Sequence, residues 1–392
     1  MQRFADQVLG PTPHIAVLSS GKVGNFVVLT PLLRGLKEKY PTCVLDYFGS
    51  DITADFEIHC PYIDARFALD SAGDGQAQAV KDFVATRKET AGPYDLVINC
   101  DEFSESNLFV AAALRPCYVA GASLDGDLAS RIAVGNDAIQ SMLGDDDWNS
   151  LAFLQRYREH LTSNYIGEIF CRLAYVETDY FRLELPSADV SFEVPDILVH
   201  ATATRRAKVW PLDYWKKVAD WCHDQGLGVG LVGSTPKLQE TLYHGADLES
   251  DLLQSTSIVD LRGRTSLLEL AGAMKRAIAC ISVDAGPLHI AAAVGCPTVA
   301  IFGNDQDGDG ASPIHLWAPR MDHVRLVRST HKCTHCADNR FKNESCLVDG
   351  HPCMRHLQPD AVIGALQAIL NQDPRRLSTH TADRTLPDGI HP

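Results

Sequence analysis

Apolar and polar positions along this chain alternate in two successive sets of strand, turn and helix. His14 to Ser20 is a β-type apolar run, followed by the loop Ser19-Ser20-Gly21-Lys22-Val23-Gly24-Asn25. Phe26 to Tyr40 then carries apolar residues at 26, 29, 32, 33 and 36, the spacing of one helical face. Val44 to Phe48 starts a second strand, and Tyr94 to Cys100 is a third. That third strand delivers Asp101 and Glu102 at its C-terminal end, where open α/β sheets place ligands. Asn107 to Leu114 continues as a helix, and residues 148–175 contain a further helical stretch. Pro186 to Pro195 holds prolines, serines and acids with little periodicity, which reads as a linker.

The second set opens with the strand Ile197 to His200, then a loop through Thr202, Thr204 and Lys208, then an amphipathic helix from Leu212 to Gln225. Hydroxyls and a lysine after a strand can bind phosphate through O–H and N–H donors plus a point charge. Cys280 to Val283 is a strand, Asp284-Ala285-Gly286-Pro287 a turn, and Leu288 to Val294 a helix stopped by Gly295. Thr298 to Phe302 is the next strand. A strand–turn–helix unit leaves free backbone N–H groups and a positive helix end at the turn, a ready site for a diphosphate flanked here by Asp284 and His289. The Gly-rich segment Asp305 to Gly310 is expected to add contacts near that site.

The fold class this pattern predicts is α/β, two Rossmann-like domains, with boundaries at 1–185, a linker at 186–196, and 197–372. Residues 373–392 are polar without apolar periodicity and read as a disordered tail. Composition adds to this. The 392 residues are 45% apolar, enough for two sizeable cores. No apolar run reaches the ~18–20 residues of a membrane span, and no secretory signal is visible, so a cytoplasmic location is expected. The net charge is −15. Residues 1–190 hold 15 Lys/Arg against 27 Asp/Glu, a difference of −12. An acidic surface argues against nucleic acid and anionic lipid as partners.

Eight of the twelve cysteines are scattered singly, as in a reducing compartment. The other four form a loop over 333–353, Cys333-x2-Cys336-x9-Cys346-x6-Cys353. Four thiolates at this spacing match a structural zinc or iron site; two disulfides or four free thiols are the alternatives.

Four stretches resemble one family. Asp284-x-Gly286-x-x-His289-x-x-Ala292 with Pro297-x4-Phe302-Gly303 looks like the donor-site signature of family 9 glycosyltransferases, the ADP-heptose heptosyltransferases. His200-Ala201-Thr202-x-Thr204-x3-Lys208-x-Trp210-Pro211 resembles their nucleotide motif, and the cysteine stretch is similar to one in many members. Gly24-Asn25-Phe26-Val27-Val28-Leu29-Thr30-Pro31-Leu32-Leu33 resembles their first motif, G-D-V-L-L-T-T-P-L-L. The resemblance implies a GT-B fold and transfer of heptose from ADP-heptose to an acceptor hydroxyl, with inversion and without a catalytic metal. It implies that Thr204 and Lys208 hold the donor phosphates. The family's usual candidate base is the Asp of that first motif, where this chain has Asn25, and an amide takes no proton at neutral pH. Asp101 is the carboxylate expected to replace it, with Glu102 as an alternate. Because the first half is acidic, the acceptor expected is a soluble, neutral or cationic natural product or a protein. A lipopolysaccharide core heptosyltransferase, a GT-B-type NDP-sugar epimerase and a non-catalytic sugar-nucleotide-binding protein are the alternatives, and a homo-oligomer is left open.

Overall fold

The structure is a computed structural model that describes residues 1–70, 75–101 and 103–373. Glu102 and residues 374–392 of the expected tail lie outside the described residues.

Two six-stranded sheets, parallel throughout their strand pairings, organise the described residues. The first holds β1 (Gln2–Arg3), β2 (His14–Leu18), β3 (Val44–Gly49), β4 (Ala65–Ala68), β5 (Leu96–Asn99) and β6 (Tyr118–Gly121), in the order β1-β6-β5-β2-β3-β4. The second holds β7 (Ile197–His200), β8 (Val229–Leu231), β9 (Val259–Asp260), β10 (Ala279–Val283), β11 (Thr298–Phe302) and β12 (Val324–Arg328), in the order β12-β11-β10-β7-β8-β9. The chain winds outward from β2 through β3 and β4, then returns to the other side at β5. It repeats that path from β7, returning at β10. Each sheet therefore has a switch point, β2/β5 in one and β7/β10 in the other, where a doubly wound sheet opens its ligand crevice.

The central strands β2, β5, β10 and β11 are wholly buried because helices cover both faces, which is why they read as continuous apolar runs. The helix Val23–Lys39 is the most enclosed, with eleven consecutive buried residues from Phe26 to Leu36. Pro31 sits inside it and cannot donate to the Val27 carbonyl. The Thr30 hydroxyl donates to Val27 O at 2.8 Å and fills that place, so the helix continues. It begins at Val23, inside the segment expected to be a loop, so Gly24 and Asn25 form its first turn. These positions face the other domain and the cleft, not their own sheet, and so lack the apolar signal of the helix body.

The two domains share one continuous apolar core. Leu29, Leu32 and Ile169 of the first pack in the same cluster as Met274, Ile290 and Ala291 of the second. The connecting segment runs tightly over the helix Leu267–Arg276: Ala188 N donates to Leu268 O at 2.9 Å, and a β-carbon on Gly272 would strike the Ala188 carbonyl. The last helix, Pro359–Leu370, packs in the core of the second domain with Trp210 and Trp215. None of the described helices is long and apolar enough to cross a membrane.

Candidate active site

At the second switch point the Lys208 ammonium lies 2.6 Å from Asp284 Oδ2. Lys208 ends a short 3-10 turn after β7, and Asp284 directly follows β10, so the sheet order brings together residues far apart in sequence. Burial pushes the Asp284 carboxyl up, but the Lys208 charge and hydrogen bond outweigh it, so the carboxyl titrates below its usual range. Burial is the largest influence on Lys208 too, lowering it against the pull of Asp284. His289, 3% exposed, is lowered by burial to about 4 and is neutral at physiological pH. Its Nδ1 has no hydrogen-bond partner among the described residues.

Ala285, Gly286 and Pro287 are half-buried and lead into the helix Gly286–Ala293, whose N-terminus carries no side-chain cap. Pro287 has no N–H and Leu288 N donates to Ala285 O at 3.1 Å, so the Gly286 N–H at the helix start is the group available to an anion. Thr204 is exposed beside Lys208 in the chain. Thr202, grouped with it from the sequence, is fully buried: its hydroxyl donates to Gln239 Oε1 at 3.2 Å and lies 3.4 Å from His200 Nε2. Its hydroxyl is thus already engaged within the floor of the loop.

The two domains meet at their helix starts. A β-carbon on Gly24 would lie 3.0 Å from His289 Cδ2, and one on Gly286 would lie 3.1 Å from Val23 Cβ. The helix Val23–Lys39 also lacks a side-chain cap, so two uncapped N-termini converge between the domains.

Beside this junction is a cavity of about 540 Å³ lined by both domains. Asn25, Asn99 and Asp101 reach it from the first switch point. Asp101 Oδ1 accepts from Phe103 N at 3.2 Å, and Asp101 N donates to Asn99 Oδ1 at 3.0 Å. Burial raises the Asp101 carboxyl, opposed by the Phe103 N–H and by Lys22. Trp148, Phe170 and the acidic loop Asp145 to Asp147 form a second wall. Asp307, Asp309, Trp317, Arg340 and Phe341 form the third. The Gly-rich loop expected beside the donor thus lines this interdomain cavity. Sequence reasoning singled out none of Trp148, Trp317, Arg340 and Phe341. A lone aromatic or basic residue in an irregular segment carries no periodic signal.

Cys333, Cys336, Cys346 and Cys353 are free thiols, and only Cys346 is other than buried. Burial, then the neighbouring Cys346, Cys336 and Cys333, pushes the Cys353 thiol up to about 12. Cys353 therefore stands near enough to the other three to feel their charge. Yet among the described residues no three His, Cys, Asp or Glu side chains stand in a geometry that could hold one metal ion. The zinc or iron centre expected from the spacing is thus not formed by these side chains as they lie here.

Two Rossmann-like domains with switch points on a shared cleft define the GT-B class of glycosyltransferases. The family model for glycosyltransferase family 9 (heptosyltransferase) matches residues 144–345, just over half of the chain, and the chain belongs to that family. Lipopolysaccharide heptosyltransferase 3 of Escherichia coli K12 is 24% identical over 310 residues, 77% of this chain and 83% of that protein. The crystal structure of a family 9 glycosyl transferase from Veillonella parvula matches with a TM-score of 0.70 at 17% identity, covering 94% of this chain and 99% of that one. The ADP-heptose lipopolysaccharide heptosyltransferase II of E. coli matches with a TM-score of 0.60 at 18% identity, covering 92% and 99%. The chain is a glycosyltransferase with the fold of these enzymes.

Proposed function

We propose that this chain transfers a heptosyl residue from ADP-heptose to a hydroxyl of a lipopolysaccharide core, with inversion at the anomeric carbon. The acceptor class is supported by relatives that are lipopolysaccharide or lipooligosaccharide heptosyltransferases. They favour it over the soluble acceptor that the acidic first half led us to expect. The observation that carries the chemistry is that the Lys208–Asp284 pair and the Asn25–Asp101 group occupy the switch points of two domains that share one cleft.

On this reading the donor diphosphate rests on Lys208, the Thr204 hydroxyl and the Gly286 N–H. They meet the charge that builds on ADP as it leaves, where preorganised donors act most strongly. Asp284 keeps the Lys208 ammonium aimed and charged. The acceptor hydroxyl enters the cavity and attacks the anomeric carbon from the face opposite ADP. Asp101 takes its proton as the new C–O bond forms and the bond to phosphate breaks. A carboxyl raised by partial burial is a stronger base than a solvated one. Asn25 orients the hydroxyl through its amide. The apolar contact between the domains keeps bulk water from the anomeric carbon.

The test is incubation with ADP-heptose and a heptose-deficient lipopolysaccharide core, read by mass spectrometry. One added heptosyl residue and stoichiometric ADP are expected. Transfer to a soluble aminosugar acceptor but not to the core would reinstate the soluble-acceptor reading.

A further inference from the structure

The segment carrying the four cysteines lies between β12 and the last helix, and it touches both halves of the site. Arg340 and Phe341 form its tip and line the cavity. Both have left-handed backbones, with φ of 50° and 56°. Two consecutive non-glycine residues there are uncommon, and such strain persists only where the surroundings impose it. Here the turn is pinned to the buried cysteines: Phe341 N donates to Cys336 O at 2.8 Å, and Asn343 Nδ2 donates to Cys336 Sγ at 3.3 Å. Across the cavity, Arg340 Nη2 lies 2.8 Å from Asp146 Oδ2 of the first domain.

The other side of the lobe grips the donor loop. Arg205, next to Thr204, donates from Nη1 to Asn343 O at 3.2 Å and from Nη2 to Ala311 O. Its guanidinium lies 5.8 Å from the Phe341 ring centre. Ala207 N donates to Glu344 O at 3.3 Å, and His351 Nε2 donates to Ala207 O at 2.9 Å. One side chain, Arg205, thus joins the loop that carries Lys208 to the wall of the acceptor cavity.

The chemistry of that wall limits what it can bind. Trp148, Trp317 and Phe341 offer aromatic faces. Arg340 pairs with Asp146, Arg156 with Asp145, and Lys332 with Asp307 and Asp309. Even so, the lining carboxylates of Asp101, Asp145 to Asp147, Asp307 and Asp309 outnumber its two cations, Arg340 and Lys342, and leave the cavity net negative. Aromatic faces suit the C–H face of a sugar ring, while clustered carboxylates repel phosphate and carboxylate groups.

We propose that the cysteine lobe is the acceptor-selecting wall of the cleft: Phe341 is the stacking face for an uncharged sugar ring, and Arg205 is the positioning residue that holds Phe341 against the cavity. This rests on the glycosyl-transfer reading and adds which kind of residue enters the cavity and what it must lack. Because Arg205 also contacts the donor loop, donor and acceptor binding share one structural element.

The probe is a deacylated, heptose-deficient core oligosaccharide, used as isolated with its phosphates and again after phosphatase treatment. Binding is read by the fluorescence of Trp148 and Trp317, without turnover, and transfer is read separately with ADP-heptose. The dephosphorylated form is expected to bind more tightly. Phe341→Ala should weaken that binding roughly tenfold, leave the ADP-heptose KM within about twofold, and be restored by Phe341→Trp. Arg205→Lys should weaken acceptor binding in the same direction and add little in the Phe341→Ala background. Unchanged acceptor binding in Phe341→Ala, an equal shift in donor KM, or tighter binding of the phosphorylated form would overturn the proposal. Phe341-dependent binding without any heptosyl transfer would leave the wall standing and reject the transfer reading instead.

Discussion

Gly24 and His289 meet tightly across the two domains: a β-carbon on Gly24 would lie 3.0 Å from His289 Cδ2, close enough that the ring would have to give by a few tenths of an ångström. Both stand near the start of a helix, and the two helices pack on each other through the shared core. Gly24 precedes Asn25, and His289 lies beside the Lys208–Asp284 pair, so this contact fixes the spacing between the donor and acceptor halves. Exchanging glycine for alanine inside a helix ordinarily adds up to about 1 kcal/mol of stability. Here Gly24→Ala is expected to gain none of it, because His289 must shift, and to lower turnover by at least about tenfold. Thermal denaturation and ADP release, measured together, check it. A more stable variant of full activity would mean that the contact is slack.

The Lys208–Asp284 pair separates binding from folding. Lys208→Ala strands a buried carboxylate, a loss of about 3–5 kcal/mol for a buried pair. It also removes the cation proposed for the donor diphosphate. Adding Asp284→Asn to that variant should recover much of the stability and none of the ADP affinity. Calorimetry with ADP and urea denaturation distinguish the two effects. ADP affinity that returns with stability would mean that Lys208 acts only as a structural partner.

His289 makes stability depend on pH in a defined window. Its folded value of about 4 lies below the ordinary 6.5, so the unfolded chain binds the proton more readily. Its stabilising contribution is complete above about pH 6.5 and is lost as pH falls toward 4, up to about 3 kcal/mol for one buried imidazole. Comparing the wild type with His289→Asn across this range isolates the effect, since other titrating groups cancel in the difference. The variant should show the shallower pH slope. Equal slopes would place the imidazole in a solvated setting.

These relationships differ in how far the sequence reveals them. The unit from Cys280 to Gly303 was legible because β-branched runs, Pro287 and Gly295 punctuate it, and the structure places β10, a helix and β11 there. Lys208 and Asp284 were each legible as donor-site residues, but their pairing was not, because it depends on the neighbouring of β7 and β10. Thr202 looked equivalent to Thr204, yet the first turns down to Gln239 while the second is exposed. The cavity wall was the least legible part. Trp148, Trp317 and Phe341 come from three irregular segments that only tertiary packing unites.

The thiols of the lobe should differ in reactivity. Cys346 is partly exposed, whereas Cys333, Cys336 and Cys353 are buried, and burial with neighbouring thiols raises Cys353 to about 12. Thiolate, not thiol, is the nucleophile, so a disulfide reagent at neutral pH should label Cys346 first and leave Cys353 until the chain unfolds. Peptide mapping after brief labelling checks the order. Protection of all four at once, released by a chelator, would show that they close onto a metal.

The last prediction concerns the proton. Asn25 lines the cavity at the position where the motif it resembles has an aspartate, and Asp101 lies on the same wall from the neighbouring strand β5. An amide can orient a hydroxyl but cannot accept its proton. Asp101→Asn is therefore expected to lower kcat by ~10²–10⁴, the usual contribution of a positioned base, with ADP binding unchanged. The pH profile adds an independent readout. Burial raises the Asp101 carboxyl, so the acid limb of kcat/KM in the wild type should fall above the ordinary carboxylate range, and it should disappear in the variant. Asn25→Asp in the Asp101→Asn background tests whether a carboxylate at position 25 can serve. Recovery of turnover there would show that both sites reach the same hydroxyl. Full turnover in Asp101→Asn alone would remove Asp101 as the base and leave Asp307 and Asp309, on the opposite wall, as the carboxylates to test next.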